Sequence, residues 1–383
     1  MHKLTFFPLG NADCIRIDLN NGRTLLLDYA HMGDPADDDD LRCNLPRELR
    51  DELGKRDYFD VVAFTHLDRD HYARSTEFFY FEHIKKYQDD VDGEPRIKMN
   101  EMWVPAAIIT EPLAKDADSE AKAIQKEARE RFKAKSGIRV FSRPARLKQW
   151  CERNDIDFKE REYLVTDAGR VVPGFTAARD EVEFFGHSPF AVRQDENTVE
   201  DRNNDALVFH ATFLAGGRET MLFLASDVGH ELLTDIVTVT ESKGNDKRLQ
   251  WHIFKLPHHC SHHSLSSKPR KGDKSEPEKE ISKLFEGYGQ DGCIVVSTSE
   301  PIPEKGSDRD KKKGANPPHR QAANYYREDV VDDRDDFKVT MEHPDPDGPE
   351  PLVIQIDAFG STVKKVTRGA AWVATTSRTP RAG

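Results

Sequence analysis

The segment from residue 65 to residue 71, Thr-His-Leu-Asp-Arg-Asp-His, places four metal-binding side chains within six positions. These are His66, Asp68, Asp70 and His71, and they follow directly on the apolar run of residues 61–64. Such a run predicts a buried strand, whose end holds the next loop rigidly. In an extended loop His66 and Asp68 share one side, whereas Asp70 and His71 point apart and could serve a second ion. The pattern predicts a site for one or two metal ions.

Acidic and histidine side chains are also common on loops, and this chain contains 69 Asp plus Glu and 15 His residues. A single His-x-Asp would carry no weight against that background. Four ligand types at this spacing behind a predicted strand favour metal binding, and with it the chemistry of a metallohydrolase.

Two later strands are also followed by ligand types. Asp227 ends the apolar segment of residues 221–225, and His258 and His259 follow the segment of residues 251–256. An Asp can bridge two cations, and a His can complete the shell of one of them. One of the two histidines is expected to be a ligand or substrate contact and the other a structural group; their spacing leaves open which.

The elements that must position these ligands alternate between strands and helices. Closely spaced apolar segments near the N-terminus predict a β-meander, and a helix is predicted near residues 45–53 before the strand at 61–64. Strand, helix, strand indicates an α/β layered domain. The predicted strands lie at residues 4–7, 14–19, 23–28, 61–64, 180–185, 205–213, 221–225, 251–256, 292–297 and 352–356.

We expect one domain over residues 1–370 and a disordered tail at 371–383, where small, polar, Arg and Pro residues dominate. Insertions are predicted near residues 106–165, 265–282 and 300–318. The first contains a run of Ala, Glu, Lys and Arg with little apolar stripe, which is typical of an exposed helix.

The formal net charge of -12 would repel nucleic acid on average. A polyanionic substrate must therefore meet the metals or a local basic patch. Residues 268–271, Lys-Pro-Arg-Lys, and residues 311–313, three lysines, are candidates, although solvated loop charge is an equal alternative.

The chain has five cysteines without a Cys-x-x-Cys pair, which argues against a disulfide framework or a structural zinc knuckle. No signal peptide and no stretch long enough to cross a bilayer is evident. We expect a cytoplasmic protein without membrane contact, and nothing in the sequence predicts a protein partner.

The order of these motifs resembles the metallo-β-lactamase superfamily, and within it the soluble hydrolase domain of the competence protein ComEC. The central His-x-Asp-x-Asp-His is matched in full by residues 66–71. Looser matches, which extend the resemblance over residues 4–325, are Gly-Asn-Ala-Asp at 10–13, Leu-Leu-Leu-Asp at 25–28, Asn-Asn-Asp-Ala-Leu-Val at 203–208, Ser-Asp at 226–227, His-His-Cys-Ser at 258–261 and Pro-Pro-His at 317–319.

The resemblance implies a four-layer αββα sandwich with helical and loop insertions and with the metals at one edge. The chain departs from the family where glycines are usual, at Tyr72, Ala73, Ser226 and Cys260. These positions shape the rim of the pocket, and because the rim selects the substrate, they leave the substrate open.

Two histidines are candidates through the resemblance alone. Residues 186–189, Gly-His-Ser-Pro, resemble a segment that supplies a further ligand in many superfamily members, although the ComEC type usually lacks that histidine. His187 is thus either a metal ligand or a residue of a turn. His319 is a candidate acid or phosphate contact, with an ordinary loop residue as the alternative.

Asp68 stands where the commoner motif has His, which makes the site richer in oxygen and favours manganese over zinc. We predict two divalent ions: one on His66 and Asp68, with His187 as a further candidate; the other on Asp70, His71 and either His258 or His259; and Asp227 as the bridge, with Asp28 orienting ligands. The predicted catalytic residues are Asp70, Asp227, His259 and His319.

Two ions a few ångströms apart can share a hydroxide and stabilise in-line attack on phosphorus. The sequence therefore predicts a metal-dependent phosphodiesterase or nuclease that acts on a nucleic acid or nucleotide. A hydrolase of a small ester, lactone or thioester on the same metals is the alternative, and a non-catalytic module is a third possibility.

Overall fold

A computed structural model describes residues 1–34, 37, 39–113, 117–191, 205–312 and 314–365 of the chain. The predicted tail at 371–383, Lys313 of the lysine run, and residues 203 and 204 of the Asn-Asn motif lie outside these residues. All five cysteines are free thiols, as the sequence predicts.

The strands, in chain order, are β1 (His2–Phe6), β2 (Ile15–Asp18), β3 (Thr24–Leu27), β4 (Tyr58–Ala63), β5 (Phe79–Tyr80), β6 (Ile97–Pro105), β7 (Ile138–Phe141), β8 (Val165–Thr166), β9 (Arg170–Val171), β10 (Val182–Ser188), β11 (Val208–Ala215), β12 (Arg218–Ala225), β13 (Trp251–Lys255), β14 (Gly289–Ser297), β15 (Phe337–Val339), β16 (Leu352–Asp357) and β17 (Gly360–Val363). The α-helices span Leu45–Leu53, Arg69–Tyr72, Ser75–Phe78, Ala106–Thr110, Ser119–Ala134, Ala145–Arg153, Ala177–Asp180, His230–Ser242, Lys279–Ser282, Asp308–Lys311 and Arg320–Tyr325.

Within the described residues these strands form two sheets. The first has the order β17-β16-β1-β2-β3-β4-β6-β7-β8, with β5 beside β6, and the second has the order β15-β14-β13-β12-β11-β10-β9. β3, β4 and β6 are parallel in the first sheet, as are β12, β13 and β14 in the second. The carboxyl ends of each parallel set meet at one edge, where the ligand-bearing loops leave their strands.

The apolar residues of the strands divide into layers. A core that includes Leu4, Trp103, Phe209 and Ile253 lies between the two sheets. A second core packs helices such as Ser119–Ala134 on the outer face of the first sheet, and a third packs His230–Ser242 and its neighbours on the outer face of the second. This is the four-layer αββα sandwich that the sequence resemblance implies, so the predicted fold class is confirmed.

The helix Ser119–Ala134 corrects one expectation. It was predicted as exposed, but Ala121, Ile124, Ala128 and Phe132 are buried against the first sheet. The small alanines let the helix approach closely, so its buried face carries few large residues and no obvious stripe. β7 extends the same sheet from within the predicted 106–165 insertion, so that part of this segment belongs to the fold.

In the part of the chain that the structure describes, no helix combines the length and the apolar character that crossing a bilayer demands.

Candidate metal centre

Four side chains meet at the shared edge of the two sheets. Asp70 and His71 come from the loop after β4, Asp227 follows β12, and His259 follows β13. One ligand atom from each lies within 4.8 Å of all the others. Asp227 is central, because its Oδ1 lies 3.4 Å from Nε2 of His71 and its Oδ2 lies 3.4 Å from Nε2 of His259. Nε2 of His259 also lies 3.3 Å from Oδ2 of Asp70.

The loop after β4 is not extended throughout. A single helical turn, Arg69–Tyr72, begins directly after Asp68 and replaces the extended geometry that the spacing suggested. Neighbouring residues in such a turn differ by about 100° in direction. Asp70 and His71 therefore reach the same cluster, where an extended loop would have turned them apart.

Each imidazole of the cluster is oriented through its other nitrogen. Nδ1 of His71 lies 2.7 Å from Oδ2 of Asp28, and Asp28 itself accepts hydrogen bonds from the backbone N–H and hydroxyl of Thr65 at 2.7 and 2.6 Å. Nδ1 of His259 lies 2.7 Å from the carbonyl oxygen of Thr298. With Nδ1 donating its proton to an oxygen, Nε2 of each ring is left as a lone-pair ligand. Asp28 occupies the orienting position that the sequence suggested.

Three buried atoms at this edge have no hydrogen-bond partner among the described residues. They are Nε2 of His66, Nε2 of His71 and Oδ1 of Asp227. A buried polar atom without a partner is costly, and native structures rarely leave several together. A divalent cation would satisfy two of them at once, since His71 and Asp227 face each other. The donor set of two carboxylates and two imidazoles fits such an ion.

The electrostatics of the cluster agree with this fit. Burial opposes the charged form of every residue in the cluster. For His259 the Asp227 carboxylate outweighs burial and raises the pKa to about 10. For His71 the carboxylates of Asp227 and Asp28 together hold the pKa well above its usual value. Despite their burial, the pKa of Asp70 is lowered to about 2 through its contact with His259, and that of Asp227 is lowered further by His259 and His71. The carboxylates are charged at neutral pH, and a bound cation would displace protons from the imidazoles.

His66, Asp68 and His258 adjoin this cluster. Nε2 of His66 lies 3.6 Å from Oδ2 of Asp68, and Nε2 of His258 lies 3.9 Å from Oδ2 of Asp227. The side chains of Asp68 and His258 are 42% and 34% exposed, so they face solvent, whereas His66 is buried. In the described chain none of these three residues joins a group of three or more ligand atoms that lie within 4.8 Å of one another, so a second ion held by them remains a prediction.

The backbone separates the two neighbouring histidines. His258, His259 and Cys260 have φ values of 47°, 51° and 64°, all in the left-handed region that favours glycine. This tight path sends His259 into the cluster and leaves His258 at the rim. Cys260 occupies the position where the resembling family has glycine, and its conformation explains that preference. Ser226, which also replaces a glycine, places its hydroxyl 2.8 Å from that of Thr65 and ties the two loops together.

His187 is not brought to the metal centre. Its Nε2 lies 3.0 Å from the carbonyl oxygen of Arg248, its Nδ1 lies 3.4 Å from the hydroxyl of Thr240, and its ring stacks on Phe223. It therefore faces the outer helix layer of the second sheet. The structure corrects its candidate role as a metal ligand, because both ring nitrogens are bound within the protein.

His319 is also bound at both nitrogens. Nδ1 accepts a hydrogen bond from the backbone N–H of His262 at 2.9 Å, and Nε2 lies 3.0 Å from the carbonyl oxygen of Ala315. Burial lowers its pKa to about 4, so the ring is neutral at physiological pH. This arrangement leaves neither nitrogen for a substrate phosphate, and it replaces the predicted catalytic contact by a role in holding two loops together.

Sequence reasoning assigned no role to three residues that lie directly behind the ligands, Asp13, Lys255 and Thr298, although Asp13 ends the Gly-Asn-Ala-Asp match at residues 10–13. Asp13 and Lys255 form a buried ion pair, and the Thr298 hydroxyl donates to Asp13 at 2.5 Å. A single lysine in the apolar strand Trp251–Lys255 was the available signal, because an unpaired charge would not be buried there.

A narrow and mainly apolar cavity adjoins His66. Its other lining residues are Leu67, Pro105, Ala107, Ile108, Glu111, Pro112, Leu113, Gln125 and Asp205. A small uncharged group could enter beside the ligand cluster from this side.

No protein-family model matches the chain, and no curated protein matches it in sequence. Among solved structures, a diphosphatase of the PhnP family is similar over 84% of this chain and 96% of its own, with 9% identity and a TM-score of 0.29. A long-form RNase Z from yeast is similar over 78% of this chain and 40% of its own, with 9% identity and a TM-score of 0.32. At these scores neither likeness bears on the activity.

Proposed function

We propose that this protein is a metal-dependent phosphodiesterase or nuclease that acts on a nucleic acid or nucleotide. The observation that carries the proposal is the cluster of Asp70, His71, Asp227 and His259, with buried ligand atoms that lack protein partners. The motif order that resembles the ComEC type supports the choice of a phosphodiester. The carboxylate share of the donor set favours manganese, with zinc as the alternative.

The roles of the residues follow from their positions. The four cluster residues would hold one ion, and His66, Asp68 and His258 would hold a second beside Asp227. When bound, divalent cations activate water and stabilise the charge that develops on phosphate oxygens. Asp28 and the Thr298 carbonyl fix the tautomers of the ligand imidazoles, and the buried position of Asp227 keeps bulk water from competing for its oxygens.

A basic cleft supports an anionic substrate. It is lined by His262, Lys268, Lys271 and Lys274 among others, and His262 lies three residues after His259 in the chain. Lys268 and Lys274 form ion pairs with Glu276 and Asp329, with Nζ to carboxylate oxygen distances of 3.5 and 2.8 Å, and these pairs partly neutralise their charge. Lys271 is exposed and has no ion-pair partner in the described chain. Phosphates that extend beyond the scissile bond could be bound here.

The apolar cavity beside His66 favours one alternative, a hydrolase of a small ester, lactone or thioester on the same site. The two functions differ in substrate charge. A phosphodiesterase should cleave bis(p-nitrophenyl) phosphate much faster than p-nitrophenyl acetate, and the alternative predicts the reverse.

The test combines metal content with hydrolysis. Elemental analysis of the purified protein, followed by assays of bis(p-nitrophenyl) phosphate with added manganese or zinc, should show bound divalent metal and metal-dependent cleavage. Single-stranded DNA, duplex DNA, RNA and cyclic nucleotides then define the substrate. Asp70→Ala combined with His71→Ala should abolish metal binding and cleavage together, whereas Asp90→Ala, at an exposed site, should change neither. Activity that survives the double change refutes the assignment, and bound metal without hydrolysis of any substrate would favour a non-catalytic module.

A further inference from the structure

The ion pair between Asp13 and Lys255 is among the most deeply buried in the described chain. The two side chains are 3% and 2% exposed, and they are 242 positions apart in sequence. Asp13 precedes β2 in the first sheet, and Lys255 ends β13 in the second. The pair therefore crosses from one sheet to the other.

Asp13 contacts three of the four cluster residues. Its Oδ2 lies 3.9 Å from Nδ1 of His71, and its Oδ1 lies 3.9 Å from Nδ1 of His259. Its backbone N–H donates to the carbonyl oxygen of Asp70 at 2.9 Å. The Nδ1 atoms of His71 and His259, which point away from the cluster, thus both face the Asp13 carboxylate. This carboxylate lies behind the ligands and is not one of them.

Lys255 supplies the fixed positive charge of this buried layer. Asp13, Asp28 and Asp227 are all buried there, and a small cavity between the sheets is lined by Asp13, Asp28 and Lys255 together. Without the ammonium group, the carboxylates of Asp13 and Asp28 would face one another across a cavity too small for solvent to screen them. Thr298 strengthens the arrangement, because it donates its hydroxyl to Asp13 and offers its carbonyl oxygen to His259.

We propose that Asp13 and Lys255 are positioning residues of the metal centre: the pair holds Asp70 and His71 of the first sheet in register with His259 of the second. The inference rests on the metal binding in the proposed function. It assigns the ion affinity of the site partly to residues that never touch the ion.

The test separates positioning from plain stability. Asp13→Asn with Lys255→Met removes both charges and keeps the shapes, so no buried charge is left alone. Manganese binding by titration calorimetry should weaken by about 10- to 100-fold, as outer-shell partners of metal ligands typically show. The unfolding free energy in chelator is measured in parallel, so that affinity refers to folded protein.

A second buried ion pair provides the matched control. Glu127 and Arg131, 0% and 3% exposed and 2.7 Å apart, join helix Ser119–Ala134 to the loop at residues 82 and 83. Glu127→Gln with Arg131→Met should lower stability and leave the manganese affinity of the Asp70, His71, Asp227 and His259 cluster unchanged. Equal losses of affinity in both double variants would show a general effect of loosening the fold and overturn the proposal.

A gentler variant covers the case in which the first double variant does not fold. Thr298→Val removes one hydroxyl donor to Asp13 and keeps the carbonyl oxygen that orients His259; it should weaken binding by about tenfold, the low end of the same range. The proposal fails if every folded variant of Asp13, Lys255 and Thr298 binds manganese as tightly as the natural protein. A natural protein that binds neither manganese nor zinc refutes the proposed function instead.

Discussion

Two pairs of buried histidines in the described chain differ in their hydrogen bonds. At the shared edge of the sheets, His71 and His259 each use Nδ1 on a protein oxygen and direct Nε2 at a carboxylate of the cluster. On the outer face of the second sheet, His187 and His210 direct Nε2 at the backbone carbonyls of Arg248 and Gln250. All four rings are buried to a similar degree.

The difference lies in what faces the second nitrogen. Carboxylates at the sheet edge raise the pKa of His259 to about 10 against the effect of burial, whereas burial alone dominates around His187 and lowers its pKa to about 4. An imidazole whose Nδ1 is hydrogen-bonded to a protein oxygen and whose Nε2 faces carboxylates is suited to binding a cation. An imidazole that is hydrogen-bonded to a backbone carbonyl instead connects two elements of the fold. Burial and residue type do not separate the two kinds.

The largest expected effect comes from removing the central carboxylate. Asp227→Asn should reduce manganese affinity by more than about 100-fold, beyond the range of outer-shell changes, because Asp227 faces both imidazoles. Equilibrium dialysis against manganese measures this. A variant that binds within tenfold of the natural protein would show that the ion, if any, sits elsewhere.

The outer-face histidine predicts a dependence on pH. The folded-state pKa of His187, about 4, lies below the usual 6.5, so the fold favours the neutral ring. The stability it contributes is complete above pH 6.5 and is lost as the pH falls towards 4, by about 3 kcal/mol in all. His187→Gln keeps a donor for the Arg248 carbonyl and does not titrate. Denaturant unfolding should therefore show a shallower loss for this variant between pH 6.5 and 4; equal slopes would contradict the interpretation.

A residue that orients a ligand should have an intermediate effect. Asp28→Asn replaces the charged acceptor of His71 Nδ1–H by an amide and should lower manganese affinity by about 10- to 100-fold. Calorimetry compares it with Asp227→Asn. If the two variants bind manganese with equally reduced affinity, the distinction between holding the ion and orienting its ligand does not apply to this site.

The smallest effect is expected at His319. His319→Leu leaves the His262 N–H and the Ala315 carbonyl without their partner, at a cost of about 1–3 kcal/mol in unfolding free energy. Manganese affinity and hydrolysis by the folded protein should stay unchanged. A large loss of hydrolysis with unchanged stability would instead restore His319 to the catalytic residues.

The sequence predicted the fold and the convergence of Asp70, His71 and Asp227 with one of two neighbouring histidines, because both depend on local signals. Asp70, His71, Asp227 and His259 each follow an apolar strand, and parallel strands bring such ends together. Between the two neighbouring histidines the spacing alone could not choose, since the choice depends on three successive left-handed residues.

The orientation of His187 and the pairing of Asp13 with Lys255 depend on strand register and sheet packing, which the spacing of residues in the sequence does not specify. The register of β10 shifts between Gly186 and Ser188, which are the neighbours of His187, and the ring of His187 faces outward. The pairing of Asp13 with Lys255 depends on how two sheets stack across a separation of 242 residues. A one-residue change of register would reverse each orientation.

The division of ligands between the sheets has a consequence for assembly. Asp70 and His71 belong to the first half of the chain, while Asp227 and His259 belong to the second. A cation at this edge would link the two layers. Its complete ligand set would form only after the two halves of the chain have packed together. The cation would add stability in proportion to the logarithm of its concentration, and neither half expressed alone could retain it with the same affinity.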